Sequence, residues 1–399
     1  MFDRLLNTPE TEIAARIGGL QSALRRRGLD AALILQKADL FYYSGTIQQA
    51  HLYVPVEGDA LLMVNKVLKR AQAESPLSRI VRLASPKKIP EILLQTGFPR
   101  PQRLGLELDV LPANIYFLLA GLFEGAELTD VSGEIRLQRA VKSPYEIGLM
   151  REAARYSDKV AAAVPELLRE GMTEIELAGR VEAEARRMGH QGIVRMRLWG
   201  SELFYGHLLA GPSGGVPSYL ASPTGGSGVS PAVAQGSGFR PIRRREPILV
   251  DYVFAYRGYI SDHARIFSIG PLPGGLAQAH ADMIALQARI MKMARPGTAS
   301  GAVYDFALEQ AHAAGYGRHF MGTGEERIRF VGHGVGLELD EFPFLNTGQN
   351  LPLEAGMVIA LEPKLIFPGK GAVGIENTHL VTSEGLERLG SFPDEVCVV

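Results

Sequence analysis

With 399 residues the chain is too long for one ordinary hydrophobic core, and 46% hydrophobic against 21% charged residues exclude a disordered chain or a small disulfide-stapled scaffold. The 42 Lys and Arg almost cancel the 43 Asp and Glu, and a net charge of −1 leaves no overall field to hold nucleic acid or an anionic membrane. The single cysteine, Cys397, excludes an internal disulfide, the longest apolar run (115–123) is far shorter than the ~18 residues of a membrane span, and Met1-Phe2-Asp3-Arg4 offers no apolar signal core, so a cytoplasmic protein is expected.

In chain order, a helix is expected over 9–27, stopped by Gly28, followed by apolar strands over 31–35, 60–64 and 104–106. This α/β layout runs to about Ser132. Ser143-Pro144-Tyr145-Glu146 then supplies an N-cap, a first-turn proline and a capping-box glutamate, so a second domain opens there. The expected domains are 1–135 and 143–399. The second shows an internal echo, with glycines 18 residues apart at Gly171 and Gly189 and again at Gly297 and Gly315. The Gly/Ser/Pro-rich stretch 211–238 is too long for an ordinary connection and is expected to form either a lid or pocket wall or a solvent-exposed insertion with no role.

Three segments carry chemistry on apolar, strand-like runs. In 248–262 two runs joined at Arg257-Gly258 form an expected hairpin that brings Asp251 and Asp262 side by side. In Val331-Gly332-His333-Gly334 the flanking glycines are expected to let a backbone or ligand approach the imidazole. A second hairpin, turning at Pro368-Gly369-Lys370-Gly371, carries Glu362 and Glu376. Singly, each acid is an ordinary solvated or capping residue. Together, four carboxylates on apolar strands repel one another and require a cation. With one imidazole they make a ligand set suited to two divalent ions such as Mn²⁺, Zn²⁺, Co²⁺ or Fe²⁺.

The order Asp251, Asp262, Gly332-His333-Gly334-Val335-Gly336-Leu337, Leu361-Glu362-Pro363 and Ile375-Glu376-Asn377-Thr378 resembles the pita-bread metallopeptidases: prolidase, aminopeptidase P, methionine aminopeptidase and creatinase. Gly28-Leu29-Asp30-Ala31-Ala32-Leu33, Phe41-Tyr42-Tyr43-Ser44-Gly45 and 139–147 are similar to the amino-terminal domain and junction of the prolidase and creatinase branch. The resemblance implies an α+β pita-bread catalytic domain with internal pseudo-two-fold symmetry, preceded by a smaller α/β creatinase-like domain. It further implies that Asp251 binds one metal, that Asp262 and Glu376 bridge both, and that His333 and Glu362 complete the second. Glu362 would accept the proton of the attacking water, a small peptide would be the substrate, and the chain would form a homodimer.

Four positions depart from that pattern. Asp340 and Ser218 stand where the Xaa-Pro-cleaving relatives carry histidines, Gly374 where they carry arginine, and Ala264 where they carry threonine. These groups are expected to donate hydrogen bonds to the substrate carbonyl or the oxyanion, so Xaa-Pro cleavage is expected to be weak. His207 and Tyr219 are the expected substrate-binding replacements, with Tyr205 and Trp199 nearby, whereas His263 and His379 should face away from the site. Asp340 adds a negative charge, which favours a cationic substrate or makes it a second proton acceptor. The leading expectation is a dinuclear hydrolase of small peptides or amides with atypical preference. A hydrolase or lyase for a non-peptide molecule is the alternative, and an inactive binding homologue ranks third.

Overall fold

The computed structural model describes residues 7–202 and 205–399, and the chain divides into two compact units, Met1–Arg139 and Ala140–Val399. Among the described residues no helix is long and apolar enough to cross a membrane.

The first unit runs α1 (Glu10–Arg27), β1 (Ala31–Ile34), α2 (Lys37–Ser44), β2 (Ala50–Pro55), β3 (Leu61–Val64), α3 (Leu68–Glu74), β4 (Ile80–Arg82), α4 (Ile89–Gln95), β5 (Arg103–Leu106), α5 (Ala113–Leu122), β6 (Glu127–Asp130) and α6 (Ser132–Ala140). Its strands form one six-stranded sheet ordered β4-β3-β2-β1-β5-β6, with β1 and β2 antiparallel and β1 and β5 parallel. Leu33, Tyr53, Leu61, Met63, Leu104 and Leu106 supply the buried face. The sequence reading missed β2, β4 and β6. The last two are short edge strands, where polar residues such as those of Glu127–Asp130 are tolerated and no apolar run announces the strand.

The second unit opens on α7 (Pro144–Leu167), held by the expected capping box: Ser143 Oγ accepts from the Glu146 N–H and Glu146 Oε2 from the Ser143 N–H. Helix α8 (Glu174–Arg187) follows, then β7 (Leu208–Ala210), β8 (Ile248–Tyr256) and β9 (Tyr259–Ser268). The second half repeats the scheme with α9 (Gly274–Met293) and α10 (Ser300–Ala313) ahead of β10 (Phe330–Gly334), β11 (Glu341–Asn346), β12 (Val358–Leu361), β13 (Lys364–Phe367), β14 (Gly371–Gly374), β15 (Asn377–Thr382) and β16 (Gly385–Arg388); β17 (Cys397–Val398) closes the chain. The paired glycines of the sequence echo stand before and after α8 and before and after α10.

Each half lays two helices on a sheet. Val160, Leu177, Val250 and Phe254 join α7 and α8 to the sheet β17-β9-β8-β7. Met283, Val303, Val331 and Ile359 join α9 and α10 to the sheet β11-β10-β12-β15-β16. The two sheets meet where Ala264 of β9 bridges to Glu376, just before β15, and this seam positions the site.

Buried histidines give this unit an acid sensitivity. The Nε2–H of His190 donates to the Val253 carbonyl at 3.0 Å and its Nδ1 accepts from the Gly192 N–H at 2.8 Å, so only the neutral ring satisfies both bonds. Burial lowers His190 to about 4 and His379 to about 3, against ~6.5 unfolded. Stability from both groups is whole above ~6.5 and lost as pH falls through the folded values. Because the raised Asp262 and Glu376 carboxyls act with the opposite sign, the expectation is a difference: relative to His190→Asn, the parent's unfolding free energy should drop by ~1 kcal/mol or more between about pH 6 and 4, with extra proton uptake. Urea titrations of both proteins at several pH values check this; a flat difference refutes it.

Candidate metal centre

The β8–β9 hairpin pairs Val253 with Asp262 and Asp251 with Ala264, which places the two aspartates diagonally on one face. Thr378 fixes the second strand: its hydroxyl accepts from the Asp262 N–H at 2.8 Å and donates to the Asp262 carbonyl at 2.9 Å. His333 lies on β10, between β11 and β12. The glycines beside it serve strand packing rather than ligand access, because a Cβ at Gly332 would lie 2.2 Å from the Ala360 carbonyl oxygen and one at Gly334 2.1 Å from that of Phe342. His333 is buried and lines the cavity, with backbone packed close to both flanking glycines.

The second hairpin is interrupted. Strand β12 pairs with β15 and β13 with β14, and between the registers Leu361↔Asn377 and Lys364↔Gly374 the ladder opens around Glu362, Pro363, Ile375 and Glu376. Both glutamates turn inward at this break and line one cavity with Asp251, Asp262 and His333. Arg265, the arginine retained from the family pattern, donates to the Glu376 carbonyl at 2.9 Å and to Asn377 Oδ1 at 2.8 Å. It holds the backbone that presents Glu376 and donates nothing to the cavity.

One residue that the sequence reading passed over sits at the centre. Lys364, with its side chain only 1% exposed, directs Nζ at Asp251 Oδ2 (2.7 Å), Glu362 Oε2 (2.8 Å) and Glu376 Oε2 (2.7 Å). In the expected hairpin turning at 368–371, period-two alternation places 362 and 364 on one face, but only its acids were weighed. On the other side of the cluster His333 Nε2 lies 3.7 Å from Asp262 Oδ2 and 3.8 Å from Glu362 Oε1. The cation required by four clustered carboxylates is therefore supplied in part by the chain itself.

The electrostatics follow from this packing. Burial, reinforced by the Asp251 charge, pushes the Asp262 carboxyl up to about 7. Burial and then Asp262 raise Glu376 well above the carboxylate range. Burial works against the charge of Lys364, yet Asp251, Glu362 and Glu376 hold its ammonium well above the ordinary lysine range. Burial likewise opposes the His333 charge, but Asp340, Asp262 and Glu362 together raise it.

Asp340 joins the cavity wall with Oδ1 3.6 Å from His333 Nδ1, in a left-handed conformation (φ 61°) that aspartate tolerates. His207 also lines the wall, but both ring nitrogens are engaged: Nε2–H donates to Gln235 Oε1 at 3.2 Å, so Nδ1 accepts from Thr224 Oγ1 at 3.1 Å. Its ring nitrogens are thus bonded within the protein, while the residue stands on the cavity wall where a substrate-binding residue was expected. Tyr219 is 62% exposed and off the wall; its hydroxyl accepts from Gln235 Nε2, and the following Leu220, Ala221 and Ser222 line the cavity instead. Ser218 Oγ is spent on the Leu220 N–H. Tyr205 stacks on Tyr252 and Trp199 is 98% exposed, so neither replaces a missing donor. His263 and His379 lie off the cavity wall, both buried elsewhere.

Gly374 accounts for the missing arginine. A Cβ there would lie 2.4 Å from the Pro363 carbonyl oxygen, 2.6 Å from Lys364 Cα and 3.1 Å from Lys364 Cγ. No side chain fits opposite the lysine.

Comparison with known proteins agrees with this architecture. The Xaa-Pro dipeptidase of Pyrococcus furiosus is 27% identical over 380 residues, spanning 94% of this chain and 97% of that protein. The probable dipeptidase PepE of Mycobacterium tuberculosis is 30% identical over 272 residues, 68% of this chain and 63% of that protein. Among solved structures, the Xaa-Pro dipeptidase from Bacillus anthracis superposes with a TM-score of 0.82 at 23% identity, covering 97% of this chain and all of that one (100%). The fold is thus the pita-bread catalytic domain behind a creatinase-type amino-terminal domain. The Creatinase/Prolidase N-terminal domain matches residues 16–141 and Metallopeptidase family M24 matches 148–383, more than half of the chain, so the protein belongs to metallopeptidase family M24.

Proposed function

We propose that the chain is a metal-dependent hydrolase of small peptides or amides that favours substrates carrying a positive charge. The observation that carries this reading is the convergence of Asp262, His333 and Glu376, whose ligand atoms lie within 4.8 Å of one another in a cavity also lined by Asp251 and Glu362. Carboxylates with one imidazole suit a divalent ion such as Mn²⁺, Zn²⁺, Co²⁺ or Fe²⁺. Such an ion polarises a scissile carbonyl and lowers the pKa of water.

The chain's own groups do the rest. Glu362 engages Lys364 through Oε2 and leaves Oε1 toward His333, where it can accept a proton from attacking water. His333 Nδ1–H donates to the Gly334 carbonyl at 3.1 Å, which fixes the ring so that Nε2 faces the cluster, and Asp340 at 3.6 Å adds a negative charge beside it, a positioning role. The peptide class is supported by the relatives, named as dipeptidases.

Charge sets the preference. Glu202, Asp251, Asp262, Asp340, Glu362 and Glu376 line the cavity, the Lys364 ammonium that touches three of them offsets one charge, and among the described residues no arginine or lysine stands on the wall itself. A free amine is therefore favoured over a free carboxylate near the scissile bond. With the Mn²⁺-loaded protein, amidating the carboxylate of a dipeptide should raise kcat/KM ~10-fold, about 1.4 kcal/mol, and acetylating the amine should lower it at least as much. Equal or better cleavage of the free acid would refute the electrostatic reading. The absent donors at Gly374 and Asp340 favour a second reading, a non-peptide amide or elimination substrate, which would be supported if an ion-loaded protein left every peptide intact.

A further inference from the structure

We propose that the Lys364 ammonium is a built-in cation standing in place of one of the two metal ions expected for this centre, so that the folded chain holds one divalent ion and not two. Three separate carboxylates, from β8, from the end of β12 and from the start of β15, converge on Nζ at 2.7, 2.8 and 2.7 Å. An ammonium has three N–H donors, and here each finds its own acceptor. A divalent ion bound by the same oxygens would sit ~2.0–2.2 Å from them and would share their space with Nζ. The two cannot coexist there.

The lysine is placed, not merely present. It opens β13, pairs with Gly374, and its backbone carbonyl accepts from the Met321 N–H at 3.0 Å. The stem is buried, and Gly374 is the residue that leaves room for it, since a Cβ there would press on Lys364 Cγ at 3.1 Å as well as on the backbone. The departure at Gly374 and the placement of Lys364 are therefore one arrangement: where the resemblance expects an arginine two residues before Glu376, the cation stands on the facing strand and points at the carboxylates. The remaining group, Asp262, His333 and Glu376 with Glu362 Oε1 nearby, is still suited to one ion. Four carboxylates against one ammonium and one divalent ion leave the cluster with one net negative charge, which adds to the preference for cationic substrates.

The inference rests on the ligand reading above only for the remaining ion, and metal counting separates the two. The full chain is saturated with Mn²⁺, passed through gel filtration and analysed for manganese per protein. Parent protein should retain one equivalent and give the paramagnetic resonance signal of an isolated Mn²⁺. Lys364→Ala, which frees the oxygens of Asp251, Glu362 and Glu376, should retain two equivalents and show an exchange-coupled pair. Two equivalents in the parent would overturn this inference while leaving the hydrolase reading intact; no tightly held ion would overturn both. If Lys364→Ala folds and still holds one, the lysine is not what excludes the second ion. Should that variant fail to fold, the count and the spectrum of the parent decide alone.

Discussion

Exchanging Glu376 for glutamine is expected to weaken divalent-ion binding by more than ~100-fold and to reduce turnover by at least that factor, while the ion-free protein melts no lower than the parent. The first part follows from position. Glu376 belongs to the three-residue ligand group and also touches Lys364 Nζ at 2.7 Å. Groups that only support a ligand typically cost ~10–100-fold when removed, so a direct ligand should cost more. The second part follows from sign. Burial, then the charge of Asp262, pushes the Glu376 carboxyl well above its ordinary range, so in the absence of an ion this charge is a burden on the fold. A glutamine oxygen can still accept from Lys364 and removes the repulsion. Calorimetric titration with Mn²⁺ and melting in chelator test the two parts separately. Parent-like affinity would remove Glu376 from the ligand set, and a large loss of ion-free stability would make its role structural.

What could be read beforehand was the chemistry that strand burial makes expensive. Asp251, Asp262, Glu362 and Glu376 stood out because ionised groups on apolar strands demand compensation, and period-two hairpins fix which residues face one another. Lys364 escapes the same logic because that logic singles out acids and imidazoles, and a lysine at the start of β13 reads as an ordinary solvated cation. The same demand for a cation also reaches Lys364, two positions from Glu362, whose ammonium meets three of these carboxylates. Tyr219 and His207 show a different limit. Both lie at or near the cavity in sequence terms, yet the path of the 211–238 stretch turns Tyr219 outward and spends the nitrogens of His207 on Thr224 and Gln235. Glycine-rich loops carry no periodicity from which such orientation could be derived. Asp340 falls between these cases: its place in the wall followed from its spacing to His333, but its approach to Nδ1 depends on a left-handed residue that the sequence does not announce.

Restoring the family's arginine with Gly374→Arg is expected to disrupt the site rather than to repair it. The nearest atoms to an added Cβ are backbone, the Pro363 carbonyl oxygen at 2.4 Å and Lys364 Cα at 2.6 Å, so no rotamer change relieves the contact and β13 must separate from β14. Gly374 also has φ 147°, a region that residues with a Cβ rarely adopt. Overpacking of this kind and the strained backbone together should cost ~2–5 kcal/mol. A unit of this size would then melt roughly 5–15 °C lower. Gly374→Ala, which adds the Cβ without charge or length, should lose most of the same stability, so steric conflict and charge effects are separable. Because the main clash is with the Pro363 carbonyl, removing the lysine in Lys364→Gly with Gly374→Arg should not recover the parent melting temperature. Thermal melts of the three variants decide the matter. If the double variant melts with the parent and gains a preference for free carboxylates, the strand pair can accept a side chain at 374, and lysine and arginine are alternative occupants of one electrostatic position.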